Sequence, residues 1–123
     1  DMRTFVGDLR DKSSWDFSLM IMQPDCITKE ILVEAVAKAR KQDSSLSLEK
    51  IRFDTLEEGK VVQILHIGSF DNETDVIREM HDDFIVKNKL VLTGKHHEIY
   101  LSDFRRTAPE KLRTILRQPV IDQ

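Results

Sequence analysis

The stretch from Lys95 to Asp103 constrains the fold most, because its alternation sorts side chains onto two chemically different faces. On a strand, successive side chains point to opposite sides, so His97, Ile99 and Leu101 share one face while His96, Glu98, Tyr100 and Ser102 share the other. The first face reads as core. The second carries an imidazole, a carboxylate and a phenol in a row, which suits the floor of a polar-tipped pocket better than open solvent. The plainer alternative is an exposed edge strand with Glu98 in water, where acidic side chains usually sit.

The rest of the chain supplies elements to surround that strand. Trp15 to Gln23 is expected to be a strand with Phe17, Leu19 and Ile21 on one face and Ser18, Met20 and Met22 on the other; both faces are largely apolar, which predicts a central position. Pro24-Asp25 ends it. Thr28 can cap a helix whose apolar stripe is Ile31, Leu32, Ala35, Val36 and Ala39, with Ile27 placed to staple onto Leu32. Ile51, Phe53 and Thr55 alternate with Arg52 and Asp54 as in a half-buried strand, and Glu57-Glu58-Gly59-Lys60 reads as a hairpin connection into Val61 to Ile67. After Gly68, Asp71 or Asn72 opens a second helix with Val76, Ile77, Met80 and Phe84 at helical spacing. Asn88 and Gly94 bracket the return to the strand at 95 to 103.

The tail is open to two readings. Thr107-Ala108-Pro109-Glu110 has capping-box spacing, so a helical turn is expected there; beyond it, Leu112, Ile115 and Leu116 suit a helix while Thr114 to Arg117 alternates as a strand would. The fold class predicted is α+β: an antiparallel sheet with the helices at 28 to 41 and 73 to 87 on one face. Such a sheet leaves its other face to be solvated, or closed by a further domain half or another subunit. Trp15, Met20, Met22 and Tyr100 are candidates to line it, since methionine adapts its shape and aromatic rings offer flat stacking area. Plain core packing is the alternative for the two methionines and for Trp15.

A chain of 123 residues makes one domain. Its sequence has no apolar run near the ~20 residues of a membrane span and no signal-peptide core at its amino terminus, and its single cysteine, Cys26, excludes an internal disulfide; a cytoplasmic location is expected. The net charge of -3 argues against general nucleic-acid binding, although Arg105, Arg106, Lys111, Arg113 and Arg117 face only Glu110 as a local counter-charge. Four glycines with no repeated Gly-rich loop exclude phosphate-loop and dinucleotide signatures, and no Gly-x-Ser-x-Gly elbow exists. His96 and Glu98 share a face, and His66 could approach from a neighbouring strand, yet no spacing reproduces a zinc signature, so neither metal nor cofactor is assigned.

Several of these segments also resemble one family. Glu98-Ile99-Tyr100-Leu101-Ser102-Asp103, followed by Arg105-Arg106-Thr107-Ala108-Pro109-Glu110-Lys111-Leu112 and Arg117-Gln118-Pro119-Val120, is similar to the carboxyl-terminal half of GyrI-like small-molecule-binding domains. Met20-Ile21-Met22-Gln23-Pro24-Asp25 resembles the family's methionine-rich strand, and His66-Ile67-Gly68-Ser69-Phe70 its His-Ile-Gly-Pro-Tyr turn, with Ser-Phe here in place of Pro-Tyr. The resemblance implies strand-helix-strand-strand modules, a terminal strand after one helical turn, and an additional amino-terminal half that is expected to be missing from this single domain over residues 1–123. It also implies a pocket for hydrophobic or aromatic compounds lined by Trp15, Met20, Met22, His66, Phe70, His96, Glu98 and Tyr100.

Glu98 and Tyr100 then have two chemical roles open to them. In an apolar cleft the Glu98 charge is costly unless paired, so it would select lipophilic cations, the behaviour of multidrug-sensing domains that resemble this fold. As a general base beside the Tyr100 phenol it would activate water, as in the branch of the family that opens cyclopropane rings of DNA-alkylating natural products. A third reading is a protein-interaction module, such as a gyrase-inhibitor-like partner. A chain short of half its sheet cover is also expected to form a homodimer or to associate with a complementary half. No nucleic acid or membrane partner is expected.

Overall fold

The strand Arg113–Asp122, here β4, is the element on which the others are assembled. The computed structural model describes residues 17–123, and these divide into two units, 17–56 and 57–123, each considered by itself. In the second unit β4 pairs antiparallel with β1 (Val61–Ile67) along one side. Its other side is shared end to end by β2 (Leu90–Leu92) and β3 (His97–Tyr100), both antiparallel. The result is a four-stranded antiparallel sheet. With its helices it is an α+β arrangement.

Alternation along β4 decides which side becomes core. Thr114, Leu116, Gln118 and Val120 are buried in sequence, whereas Arg113 is exposed and Ile115 and Arg117 are half-buried. Leu116 and Val120 pack with Ile77, Met80 and Ile85 from the helix that follows β1, and Val62, Ile64, Leu90 and Leu92 close the cluster. That helix, α2 (Glu73–Arg78), is preceded by a 3-10 turn (Phe70–Asn72) and continued by a π-helical segment (Glu79–Ile85). The wider π turn fits the packing, since Met80 and Ile85, five residues apart, both reach the core.

The connections follow from local chemistry. Gly68 takes φ 141° after β1 and donates its amide to Leu112 at 2.9 Å, a backbone conformation that a side chain would strain. Between α2 and β2 it is Lys89, not Asn88, that turns through a positive φ of 53°, while the Asn88 side chain donates to the Phe84 carbonyl. The tail resolves as its resemblance implied: a 3-10 turn (Pro109–Lys111), then β4. No side chain caps that turn, so the capping-box spacing at Thr107 is not used.

The first unit holds helix α1 (Lys29–Gln42). Thr28 caps it by accepting from the Ile31 amide at 3.4 Å, and Arg40 and Lys41 occupy its last turn, where the macrodipole favours cations. Of the strands expected at 15–23 and 51–55, the described residues form neither: residues 17–23 and 51–58 are irregular and pair with no strand among the described residues, and Trp15 and Asp16 lie outside them. Alternation marks a segment as fit to pair, but a strand also needs a neighbour, and here Leu19, Ile21 and Met22 are 85%, 84% and 96% exposed. Gly59 has its turn conformation, φ 64°, yet with no strand before it the turn is not a hairpin.

Leu116, 0% exposed, lies in the cluster between the sheet and the helix that follows β1. Leu116→Ala is expected to lose about 3 kcal/mol of stability, since truncation leaves a cavity that the strand ladder cannot collapse around. Urea denaturation of the two chains, read by circular dichroism, checks this.

Candidate functional site

The register of β3 on β4 sets the position of the carboxylate and phenol. Glu98 stands opposite Leu116 and Tyr100 opposite Thr114, so both lie on the face covered by α2, with the core, and not on the opposite face. His97 and Ile99 occupy that opposite face instead. There Arg117 donates to Glu58 at 2.8 Å and to Gln63 at 3.0 Å, and His97 stands 3.5 Å from the other Glu58 oxygen. The side expected to be core therefore carries a largely shielded ion cluster.

One corner of the α2 face gathers the polar groups. His66 of β1, Thr114 of β4 and Tyr100 of β3 form one row across the sheet, and Glu98 lies in the next. The Tyr100 hydroxyl donates to Glu98 Oε2 at 2.6 Å, and the Phe70 ring meets Tyr100 edge-on with centroids 5.5 Å apart and planes at 72°. Partial burial, the hydrogen bond to Glu98, its charge, and the charge of Glu73 together push the Tyr100 phenol well above its ordinary range. Tyr100 is thus a fixed donor. It occupies one Glu98 oxygen, leaving proton-accepting chemistry at this carboxylate to Oε1.

The two histidines of the expected site behave differently. His66 is buried with Nε2 3.0 Å from the Ser69 carbonyl, which can only accept, so that nitrogen carries the proton and the ring clamps the turn after β1. Its ring also lies 3.4 Å from where a side chain on Gly68 would begin. His96 lies apart from Glu98, beside His81 of the π segment, with ring centroids 6.1 Å apart. Burial first, then the neighbouring His81 and His97, push His96 down to about 4, and burial lowers His81 as well.

Among the eight expected ligand residues the structure brings together Glu98, Tyr100, Phe70 and His66. Met20 and Met22 are exposed in the first unit, and Trp15 lies outside the described residues. Two members of the corner carried no signal in the sequence. Glu73, 5% exposed, looked like an ordinary first-turn acid of a surface helix; Thr114, 1% exposed, looked like a strand filler. The Thr114 hydroxyl has no hydrogen-bond partner among the described residues. Among these residues no group of three His, Cys, Asp or Glu side chains is placed to hold a metal ion. A separate cleft of about 400 Å³ in the first unit lies between α1 and residues 48–54, lined by Leu32, Val36, Ile51 and Phe53 among others.

With this geometry in place the comparisons are specific. The chain belongs to the GyrI-like small molecule binding domain family, whose model matches residues 22–121. A structure described as a hydrolase from Listeria innocua shares 42% identity over 80% of this chain and 52% of its own, with a TM-score of 0.69. An uncharacterized conserved protein from Listeria innocua matches at 43% identity over 80% of this chain and 50% of its own, with a TM-score of 0.72. A further Listeria innocua hydrolase matches at 40% identity with the same coverage and a TM-score of 0.69. The chain spans about half the length of these structures. No significant match is found among curated proteins.

Two measurements follow. His96 ordinarily titrates at 6.5 and in the folded chain near 4, so between those values the unfolded chain binds more protons. Stability is therefore expected to fall as pH drops from about 6.5 towards 4, by up to about 3 kcal/mol, and His96→Asn should flatten that slope in urea denaturation across the range. Thr114→Val keeps the shape and removes an unpartnered hydroxyl, so stability should hold or rise by about 1 kcal/mol; thermal melting checks it.

Proposed function

We propose that the Glu98–Tyr100 corner binds small hydrophobic or aromatic compounds, with the carboxylate as polar anchor and the Phe70 and Tyr100 rings as contact surface. The observation that carries this reading is the 2.6 Å hydrogen bond from Tyr100 to Glu98 beside the edge-on Phe70 ring. It fixes a charge and an apolar wall in one small space. A carboxylate in such a setting favours a lipophilic cation over a neutral ligand of the same shape, which is the multidrug-recognition form of the proposal.

A second reading, hydrolysis, is favoured by the oriented Glu98 and by two structural relatives described as hydrolases, 42% and 40% identical. In this reading Glu98 takes a proton from water attacking an activated cyclopropane carbon; the ring carbon–carbon bond breaks and its electron pair passes to the ligand's conjugated carbonyl. Tyr100 holds the base in position by donating to it. A cytoplasmic setting suits both readings, and no described helix is long and apolar enough to cross a membrane.

Self-association belongs to the same proposal. Residues 17–23 expose Leu19, Ile21 and Met22 without a strand partner among the described residues, and pairing with a second copy would cover them. Light scattering should give a mass above the 14.3 kDa of one chain at micromolar concentration; a monomer that still binds ligand would rule this out.

Glu98→Gln should weaken binding of a lipophilic phosphonium cation by about 1.5 to 3 kcal/mol and leave a neutral aromatic compound little changed. Calorimetry showing equal losses for both, or none, would remove Glu98 as an electrostatic anchor. For the second reading, cyclopropane-bearing compounds incubated with the chain should gain the mass of one water, and Glu98→Gln should slow that gain by about 10²- to 10⁴-fold.

A further inference from the structure

The π segment carries a chemically capable side chain that the Glu98–Tyr100 corner does not use. His81 lies within Glu79–Ile85 and faces His96, which stands one residue before β3. Their ring centroids are 6.1 Å apart, with the planes at 44°. The His81 Nε2 is shielded from solvent and has no hydrogen-bond partner among the described residues. We propose that His81 and His96 form a binding site for a soft monovalent metal ion, Cu(I), held in near-linear fashion between the two imidazoles. This site stands independently of the reading of Glu98 and Tyr100 as a functional pair.

The distance between the rings selects the kind of ion. A ligating imidazole nitrogen lies about 2.0 to 2.1 Å from its ion, with the ring centroid about 1.1 Å beyond, so centroids are up to about 6.4 Å apart across an ion and about 5.2 Å apart at a tetrahedral angle. The observed separation lies near the wide limit, and a near-linear ion imposes no relation between the ring planes. Zn(II) takes about four ligands at tetrahedral angles, whereas the softer Cu(I) is satisfied by two. Among the described residues no third His, Cys, Asp or Glu side chain converges on the pair. Each ring need give only one nitrogen, since the second nitrogen of a ligating histidine is ordinarily engaged elsewhere, and rotation about χ2 can turn a nitrogen towards the gap. Burial keeps both rings in the neutral form that ligates, and the Asp82 charge acting on His81 favours a cation there. Both ligands also come from anchored elements: Met80 and Ile85 seat the π segment in the core, and the pairing of His97 with Arg117 fixes the start of β3.

Ag(I) is the probe, because it shares this coordination preference without the redox chemistry of copper. The exposed Cys26 thiol would compete for it, so the protein tested carries Cys26→Ser. Calorimetry should show one ion per chain at low-micromolar affinity. Nitrogen NMR of isotope-labelled histidine should show one ring nitrogen of His81 and one of His96 shifting on Ag(I) addition, while those of His66 and His97 stay in place. His81→Gln and His96→Gln should each weaken binding about 100-fold, and His97→Gln should leave it within about twofold. Cu(I), measured anaerobically by competition with bicinchoninate, should follow the same order. Ring shifts confined to other histidines, binding at millimolar concentration only, or Zn(II) held more tightly than Ag(I) would each overturn the proposal. The ring shifts are read with every histidine in place, so they decide the matter even where a His96 variant fails to fold.

Discussion

The ladder along β4 governs where every side chain of the 57–123 unit can go. Because β1 pairs with one side of β4 and β3 and β2 share the other, the phase of a single ten-residue strand assigns the faces of all four. Leu116 at 0% exposure pins that phase: a slip of one residue would put Arg113, Ile115 and Arg117 under α2 and expel Leu116 and Val120 into the Arg117–Glu58 side. Pro119 adds a second constraint. It has no amide to give, and its ring sits 3.0 Å from where a side chain on Gly94 would begin, so the crossing from β2 to β3 passes over a glycine at that point. The Gly94 carbonyl is meanwhile taken by the Gln118 side chain at 2.9 Å, which buries Gln118 without leaving its amide unsatisfied.

The corner at Glu98 is costly in isolation and becomes tolerable through arrangement. A carboxylate beside a hydrophobic cluster is disfavoured unless donors meet it. Tyr100 supplies one donor, and its own ring is held by Phe70, whose place depends on the turn that His66 clamps through Ser69. The chain of dependence runs from Gly68, whose unusual φ allows the His66 ring to lie against it, to the orientation of the Glu98 carboxylate. A change at Gly68 would therefore reach the Glu98 carboxylate through packing against the His66 ring.

Much of this was legible in the sequence. The alternation around Glu98 identified β3 and its two faces, the apolar run at 61–67 gave β1, the Thr28 cap and its stripe gave α1, and the helical spacing of Val76, Ile77 and Met80 gave α2. Which face of β3 the helix covers was not legible, because alternation separates two sets of side chains without saying which set meets α2; that depends on the pairing of Glu98 with Leu116, residues 18 positions apart. The alternation at 17–23 and 51–55 marks segments fit to pair but does not make strands of them, because pairing is a property of two segments and each sequence pattern describes only one. Glu73 and Thr114 were missed because an acid in a helix's first turn and a threonine in a strand are ordinary residues in ordinary places until tertiary packing buries them. The π segment was likewise hidden, since the 3.6-residue period was read through Phe84, while the structure buries Ile85 and leaves Phe84 52% exposed.

The position of β3 at the margin of the described sheet shapes its surroundings. Among the described residues β3 pairs only with β4, so Glu98 and Tyr100 lie on an edge strand, and Tyr100 remains 55% exposed although its hydroxyl is engaged. The carboxylate and the phenol thus stand at the margin of the described sheet and outside the cluster around Leu116. Exposed edges also invite unwanted pairing, and this one is four residues long and followed by a charged turn. In that turn Asp103 accepts from the Arg105 guanidinium at 2.9 and 3.0 Å and from its amide at 3.0 Å, while the Asp103 carbonyl takes the amides of Arg106 and Thr107. The basic run after β3 is thus partly spent on its own turn, where it limits strand addition beyond Tyr100.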